Sequence, residues 1–173
     1  SDPFGRVARF EYDASMRLSK ITDVIGIESE FHYGFGAFIS ELKTPYGMTT
    51  FASAWQGDMG GHTLSQWAEA TDALGAKERI ELSWDSGPAI AASEPASAVP
   101  TGFQPDNVFL QIWNSFYWDK RAMALHPNDK TKAHITKWAM IETYKLGAHM
   151  VSEKRPLENR VWYAYEGAPA IGW

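Results

Sequence analysis

Cysteine is absent from the 173 residues, which removes disulfides, thiolate nucleophiles and cysteine-ligated metals in one step. Long apolar runs are missing too. No stretch approaches the ~18 residues that a spanning helix requires, so no membrane span is expected. Clustered lysine and arginine are also lacking, and the formal net charge is -5. A general nucleic-acid binder must neutralise phosphates, so nucleic acid is not an expected partner. No Walker sequence and no GxSxG occurs, which sets aside the simplest NTPase and hydrolase readings. Gly34-Phe35-Gly36 is a lone GxG with neither a third glycine nor a following helix, so it is no dinucleotide motif. The opening SDPFGR has no methionine, basic n-region or apolar h-region, and reads as a chain cut from something longer.

What is present is an ordinary globular composition, 45% hydrophobic and 21% charged, with eight tryptophans spread along the chain. It is ordered by a repeat. Gly5, Gly26 and Gly47 lie 21 residues apart, and Gly75 follows after 28. Asp2, Asp23, Thr44 and Asp72 each stand three places before one of these glycines. Phe10 and Tyr12, then Phe31 and Tyr33, then Ile80 and Leu82 follow five and seven places after Gly5, Gly26 and Gly75. After Gly47 the pattern breaks step, with Ala52 and Ala54 in those places and Phe51 one early. An Asp or Thr oxygen accepts a backbone hydrogen bond two residues on, and a left-handed glycine closes a hairpin. In KERIELSW the residues alternate with period two. Ile80, Leu82 and Trp84 are expected on the buried face, with Glu81, Ser83 and Asp85 opposite. Each unit therefore reads as strand, turn, strand, turn, and the units add to a common antiparallel sheet. The expected class is all-β, a curved and twisted sheet of hairpins with at most short helical turns.

RFEYDASMRLSKITDVIG resembles the repeat of the Rhs and YD-repeat family, named for the pair found here as Tyr12-Asp13. NSFYWDKRAMAL and EKRPLENRVWYAYEG are similar to further segments of Rhs-type polypeptides. The second copy departs from the pattern with Tyr33-Gly34, and the third lacks the dipeptide. The resemblance implies a segment of a large hollow β-shell that encloses a C-terminal domain, often a toxin, for delivery between cells. It also implies a secreted or cell-surface location. The implied partners are other repeat units, the enclosed domain and secretion-apparatus proteins. Enclosure needs no catalytic residue in this stretch.

Three parts are expected: hairpin repeats over 1–87, a Pro/Ala/Ser-rich connection over 88–106, and a further β-rich segment over 107–173. NVFLQIWNSFYWD carries large apolar groups on both alternating faces and predicts a strand covered on both sides. KRAMAL predicts a short helical turn ended by His126-Pro127. TKAHITKWAMIETYKL fits either a helix or a strand, and RVWYAYEG reads as one more repeat strand.

No catalytic, cofactor or metal residue is assigned. The histidines at 32, 62, 126, 134 and 149 show no HxH or HExxH spacing. Glu28 and Glu30 invite comparison with the paired carboxylates of glycosidases. Both fall on the strand side opposite the apolar face, where solvated charges sit. Glu41 is a third acid in the same region. Asp119 and Lys120 beside Trp118 read as a salt bridge at a strand end or part of a binding surface. Trp55, Trp113 and Trp162 would stack on sugar rings if exposed, and Trp118 stands with Asp119 among the possible binding residues. An extracellular binding module for glycan or protein is thus the alternative function, and a carbohydrate-active enzyme a weaker third.

Overall fold

The computed structural model describes residues 3–57, 63–84, 113–142, 145–163 and 165. The connection expected over 88–106 lies outside them, as do Asp2, His62 and Asp85. The fold is all-β. The strands are β1 (Arg9–Tyr12), β2 (Leu18–Thr22), β3 (Glu28–Tyr33), β4 (Ile39–Thr44), β5 (Gly47–Gly57), β6 (Thr63–Thr71), β7 (Lys77–Ser83), β8 (Asn114–Trp118), β9 (His134–Glu142), β10 (Lys145–Lys154) and β11 (Val161–Trp162). Helix α1 (Lys120–Leu125) follows β8, and a 3-10 turn spans Lys130–Lys132. Every described pairing is antiparallel. The chain forms two compact units, Ser1–Ala52 with Glu69–Lys77, and Ser53–Ala68 with Glu78–Trp173.

The first unit is built from its turns. Asp23 accepts hydrogen bonds at Oδ1 from the Ile25 and Ile27 amides at 2.8 and 2.9 Å. Asp72 does the same with Leu74 and Ala76, both at 2.9 Å. The backbone closes identically in both, Asp23 N–H to Ile27 O and Asp72 N–H to Ala76 O at 2.9 Å. Gly26 and Gly75, at φ 89° and 83°, take the left-handed position that this turn demands. Gly5 and Gly47 also have positive φ, 77° and 127°.

A further copy escapes the glycine spacing. Asp13 Oδ1 accepts from Ser15 and Arg17 at 2.8 and 2.9 Å, and Met16 occupies the left-handed position at φ 60°. The Asp of the Tyr12-Asp13 pair is thus a turn carboxylate. Its acidity is raised above the usual by these hydrogen bonds, that from the Arg17 amide first. Arg17 holds the other oxygen at 2.7 Å, reaches the Gly36 carbonyl at 2.5 Å, and lies 4.3 Å from the centre of the Tyr33 ring. Tyr33 Oη donates to the Leu18 carbonyl at 2.8 Å. One arginine thereby ties the β1–β2 turn to the β3–β4 turn.

TPYG is tighter than the Asp turns. Thr44 and Gly47 are paired residues of β4 and β5, so only Pro45 and Tyr46 lie between the strands. Thr44 Oγ1 accepts from the Tyr46 amide at 3.2 Å. A side chain at Gly47 would overlap the Cβ of Ala73 in the Asp72–Gly75 turn.

Register sorts the first unit into two faces. Phe10 stands opposite Ile21, Ile21 opposite Ser29, and Phe31 opposite Leu42. The other face pairs Glu11 with Lys20, Lys20 with Glu30, and Glu30 with Lys43. Among the described residues of this unit none is buried, and Phe10 and Tyr12 are 56% and 58% exposed.

The second unit has the core. Phe116, Trp118, Met123, Ala133 and Ile135 pack together, with Ala122 of α1 against them. Asp119 caps α1 by accepting from the Ala122 amide at 2.7 Å, and His126 ends the helix, where KRAMAL predicts a helical turn. The segment that fits helix or strand is strand β9. Two expectations are corrected. Strand β8 is covered on one side only over its described residues: Asn114, Phe116 and Trp118 are buried, while Tyr117 is 40% exposed. In β7 the alternation holds but the faces are reversed, with Ser83 fully buried and Ile80 53% exposed. The reason is register: Glu81 lies opposite Phe116 and Ser83 opposite Asn114, on the side that α1 covers.

The equivalence of the Asp13 and Asp23 turns has a measurable consequence. A left-handed non-glycine residue costs on the order of 1–2 kcal/mol. Met16→Gly should raise stability by about 1 kcal/mol, less than the full strain because glycine is freer when unfolded. Gly26→Met should lower it by a similar amount. Urea denaturation reads both, and shifts of the same sign would contradict the equivalence.

Candidate functional site

The most unusual side chains form one transverse row in the second unit. Ser83 of β7 pairs with Asn114 of β8, Asn114 with Lys137 of β9, and Lys137 with Ser152 of β10. All four are polar and buried, at 0%, 2%, 5% and 0% exposure in that order. Such a row is tolerated in an interior only when its members are hydrogen-bonded or paired. Lys130 brings its ammonium to Ser83 Oγ at 3.4 Å and to Glu81 at 3.1 Å, with the Phe116 ring 4.9 Å away. Arg79 holds the other Glu81 oxygen at 3.0 Å and lies 4.2 Å from the Trp67 ring. Arg160 donates to Ser152 Oγ at 3.2 Å.

Burial, and after it the nearby charge of Arg160, pushes the Lys137 amine down to about 7. The hydroxyls of Ser83 and Ser152 are wholly enclosed, so neither is offered to a substrate. What the row does is fix register. A slip of one residue would move Lys137 to the opposite face and bring a neighbour such as Trp138 inward. Sequence reasoning set Ser83 on the open face and passed over Asn114, Lys137 and Ser152, although a signal was there. The alternation Ile135, Lys137, Ala139 places a lysine on the apolar face of a strand.

On the opposite face Glu153 of β10 joins its neighbours. His134 Nε2 lies 3.0 Å from one carboxylate oxygen, and Tyr163 donates to the other at 2.7 Å. These two contacts, that of Tyr163 first, hold the Glu153 carboxyl below its ordinary range.

The residues singled out in the sequence do not converge. Glu28 is ion-paired with Lys20 at 2.6 Å, which holds its carboxyl below the usual range, and Glu30 with Lys43 at 3.4 Å. Glu41 stands opposite His32 on β3 and Thr50 on β5. Among the four tryptophans, Trp118 is fully buried and its indole donates to the Asp129 carbonyl at 3.0 Å, which makes it core. Trp113, at φ 55°, meets Trp84 with ring centres 4.6 Å apart and planes tilted by 48°. Trp162 pairs with Ser152 across β10–β11, and Arg160 lies 5.8 Å from its ring centre. Trp55 alone of these is widely open, at 72% exposure. No group of three or more His, Asp or Glu side chains is placed to hold a metal among the described residues.

No protein-family model and no curated protein sequence matches the chain.

The buried amine yields a pH test. Lys137 titrates near 7 when folded and near 10.5 when unfolded. The unfolded chain therefore binds the extra proton between these values, and stability rises with pH across that window. The slope is at most about 1.4 kcal/mol per pH unit. Lys137→Met should remove it, stabilising the protein most below pH 7 and least above 10.5. Urea midpoints of the two proteins from pH 6 to 10 check this, and a constant difference between them would refute it.

Proposed function

We propose that this chain is a non-catalytic structural segment of a large Rhs or YD-repeat polypeptide. In that reading its hairpins contribute to a β-shell around a C-terminal domain, often a toxin, delivered between cells. Its partners are neighbouring repeat units, the enclosed domain and proteins of the secretion apparatus, and its place is secreted or cell-surface.

The observation that carries the proposal is the first unit, a set of antiparallel hairpins with no buried residue among those described. Hairpins without a covered face are marginal alone and gain stability from neighbours. The hydrogen-bonded Asp turn, made three times with the same geometry, is the local chemistry of a repeating element. A second reading, glycan or protein recognition through aromatics, has the open indole of Trp55 in its favour.

The native protein decides. An antibody against this segment should recover a product much larger than the 19.4 kDa of these residues, whose peptide map contains further copies of the repeat and a separable C-terminal piece. A native product of 19.4 kDa would overturn the scaffold reading. Saturable glycan binding lost in Trp55→Ala, without loss of fold, would favour the second.

A further inference from the structure

Asn114 of β8 and Lys137 of β9 stand directly opposite one another, and both are buried, at 2% and 5% exposure. Directly opposed residues have Cβ atoms about 5 Å apart. The four-carbon stem of a lysine spans that distance, so its amine can meet the carboxamide carbon of a facing asparagine. The neighbouring pair on the same face is Phe116 with Ile135, both in the core, so amine and carboxamide share an apolar wall. We propose that the side chains of Asn114 and Lys137 join in an isopeptide bond, formed by the folded chain itself. This inference goes beyond the scaffold reading and does not rest on it.

The step balances without a co-reactant. The lone pair of Lys137 Nζ attacks Cγ of Asn114, the bond from Cγ to Nδ2 breaks, and a Cγ–Nζ amide bond takes its place. One of the two protons of the neutral amine leaves with Nδ2, so ammonia is the only other product. Nothing is oxidised or reduced. The reaction runs once in each chain and leaves strands β8 and β9 covalently tied through their side chains.

Three features of the site favour it. Fixed opposition on two paired strands replaces a bimolecular encounter, which removes a large part of the barrier to such a reaction. Attack requires the neutral amine, and burial with the nearby charge of Arg160 pushes Lys137 down to about 7. Enclosure keeps out water, the competing nucleophile, which would turn the carboxamide into a carboxylate. The product suits the interior better than the reactants do. One neutral amide replaces an ionisable amine and a primary carboxamide, and no charge is left to solvate. Ser83 beside Asn114 and Ser152 beside Lys137 place a hydroxyl on either side of the new amide.

A tryptic map of the native protein, recovered with the antibody described above, tests it by mass spectrometry. The expected result is a branched peptide with the mass of the Asn114 and Lys137 peptides together, less one ammonia. Lys137→Arg keeps the charge but offers no nucleophilic amine, and Asn114→Leu removes the carboxamide. Both variants should yield only linear peptides of full sequence mass. Two separate linear peptides from the folded unsubstituted protein would overturn the proposal, whatever the variants do. So would an ammonia loss that persists in Lys137→Arg, because that marks an asparagine cyclised on its own backbone. The joined lysine no longer titrates, so the pH slope of stability derived above belongs to the unjoined chain, and the map is read before the urea series. A branched peptide is found or missed whatever the length of the native product, so the scaffold reading stands or falls separately.

Discussion

The first unit depends on one arrangement, a carboxylate oxygen that accepts two backbone amides of its own turn. Asp13, Asp23 and Asp72 each do this, at 2.8–2.9 Å, toward the residues two and four places on. The turn amides need no partner from elsewhere, and the left-handed residue that follows brings the chain back at the twist of an antiparallel pair. Hairpin geometry is thereby secured within five residues of sequence. It does not wait for a core, which is why hairpins can be laid side by side with neither face buried. Where the acid is missing, the turn changes. Gly34 keeps the amide bond to the Phe38 carbonyl at 3.1 Å but uses Gly36 for positive φ. The Arg17 guanidinium then supplies an external tie, from Asp13 to the Gly36 carbonyl.

The second unit solves the same problem of register by burial. Phe116 and Trp118 are enclosed by Ala122, Met123, Ala133 and Ile135, and the neighbouring positions on that face are filled by a polar row. A buried lysine costs more than a buried leucine, so the row is weak as a source of stability. It is stronger as a constraint. Lys130, beyond β8, reaches Glu81 and Ser83 of β7, and Arg160, beyond β10, reaches Ser152, so these contacts depend on how the strands are aligned. A slip of one residue in any of the four strands would turn its member of the polar row to the other face and an apolar or charged neighbour inward.

The parts of this fold that were legible in the sequence are those set by local chemistry. The Asp–Gly spacing located the turns because a carboxylate acceptor and a left-handed glycine are both visible as letters. The Asp13 turn was overlooked because Met16 stands where the pattern asks for glycine. Alternation in KERIELS revealed a strand and its period but not which face is inward. That choice belongs to β8 and α1, more than thirty residues further along. Asp119 illustrates the same limit. Its place before KRAMAL marks a helix cap, yet beside Lys120 it also reads as an ion pair. The tryptophans were least legible of all. Trp118 and Trp55 are the same residue type in aromatic-rich strands, one wholly enclosed and one open, and only packing separates them.

These two means of holding register differ in what they leave outside. A strand aligned by buried side chains has used one face in doing so. A strand aligned by its own turn need bury neither: β1 is exposed along its length, and β2 and β3 are no more than half-buried. On the charged face of the first unit, Lys20 meets Glu28, and Lys43 meets Glu30, so charges on adjacent strands are already matched in sign. On the other face Phe10 and Ile21 share one row with Ser29, and Phe31 and Leu42 share the next, Phe10 exposed and the other three apolar side chains half-buried. Exposed aromatics cost solubility in a monomer and repay it only on contact. In the repeat array proposed above, hydrogen-bonded turns, charges matched across strands and exposed aromatics would let such hairpins be extended along the strand-pairing direction, with stability drawn from neighbours as much as from their own interior.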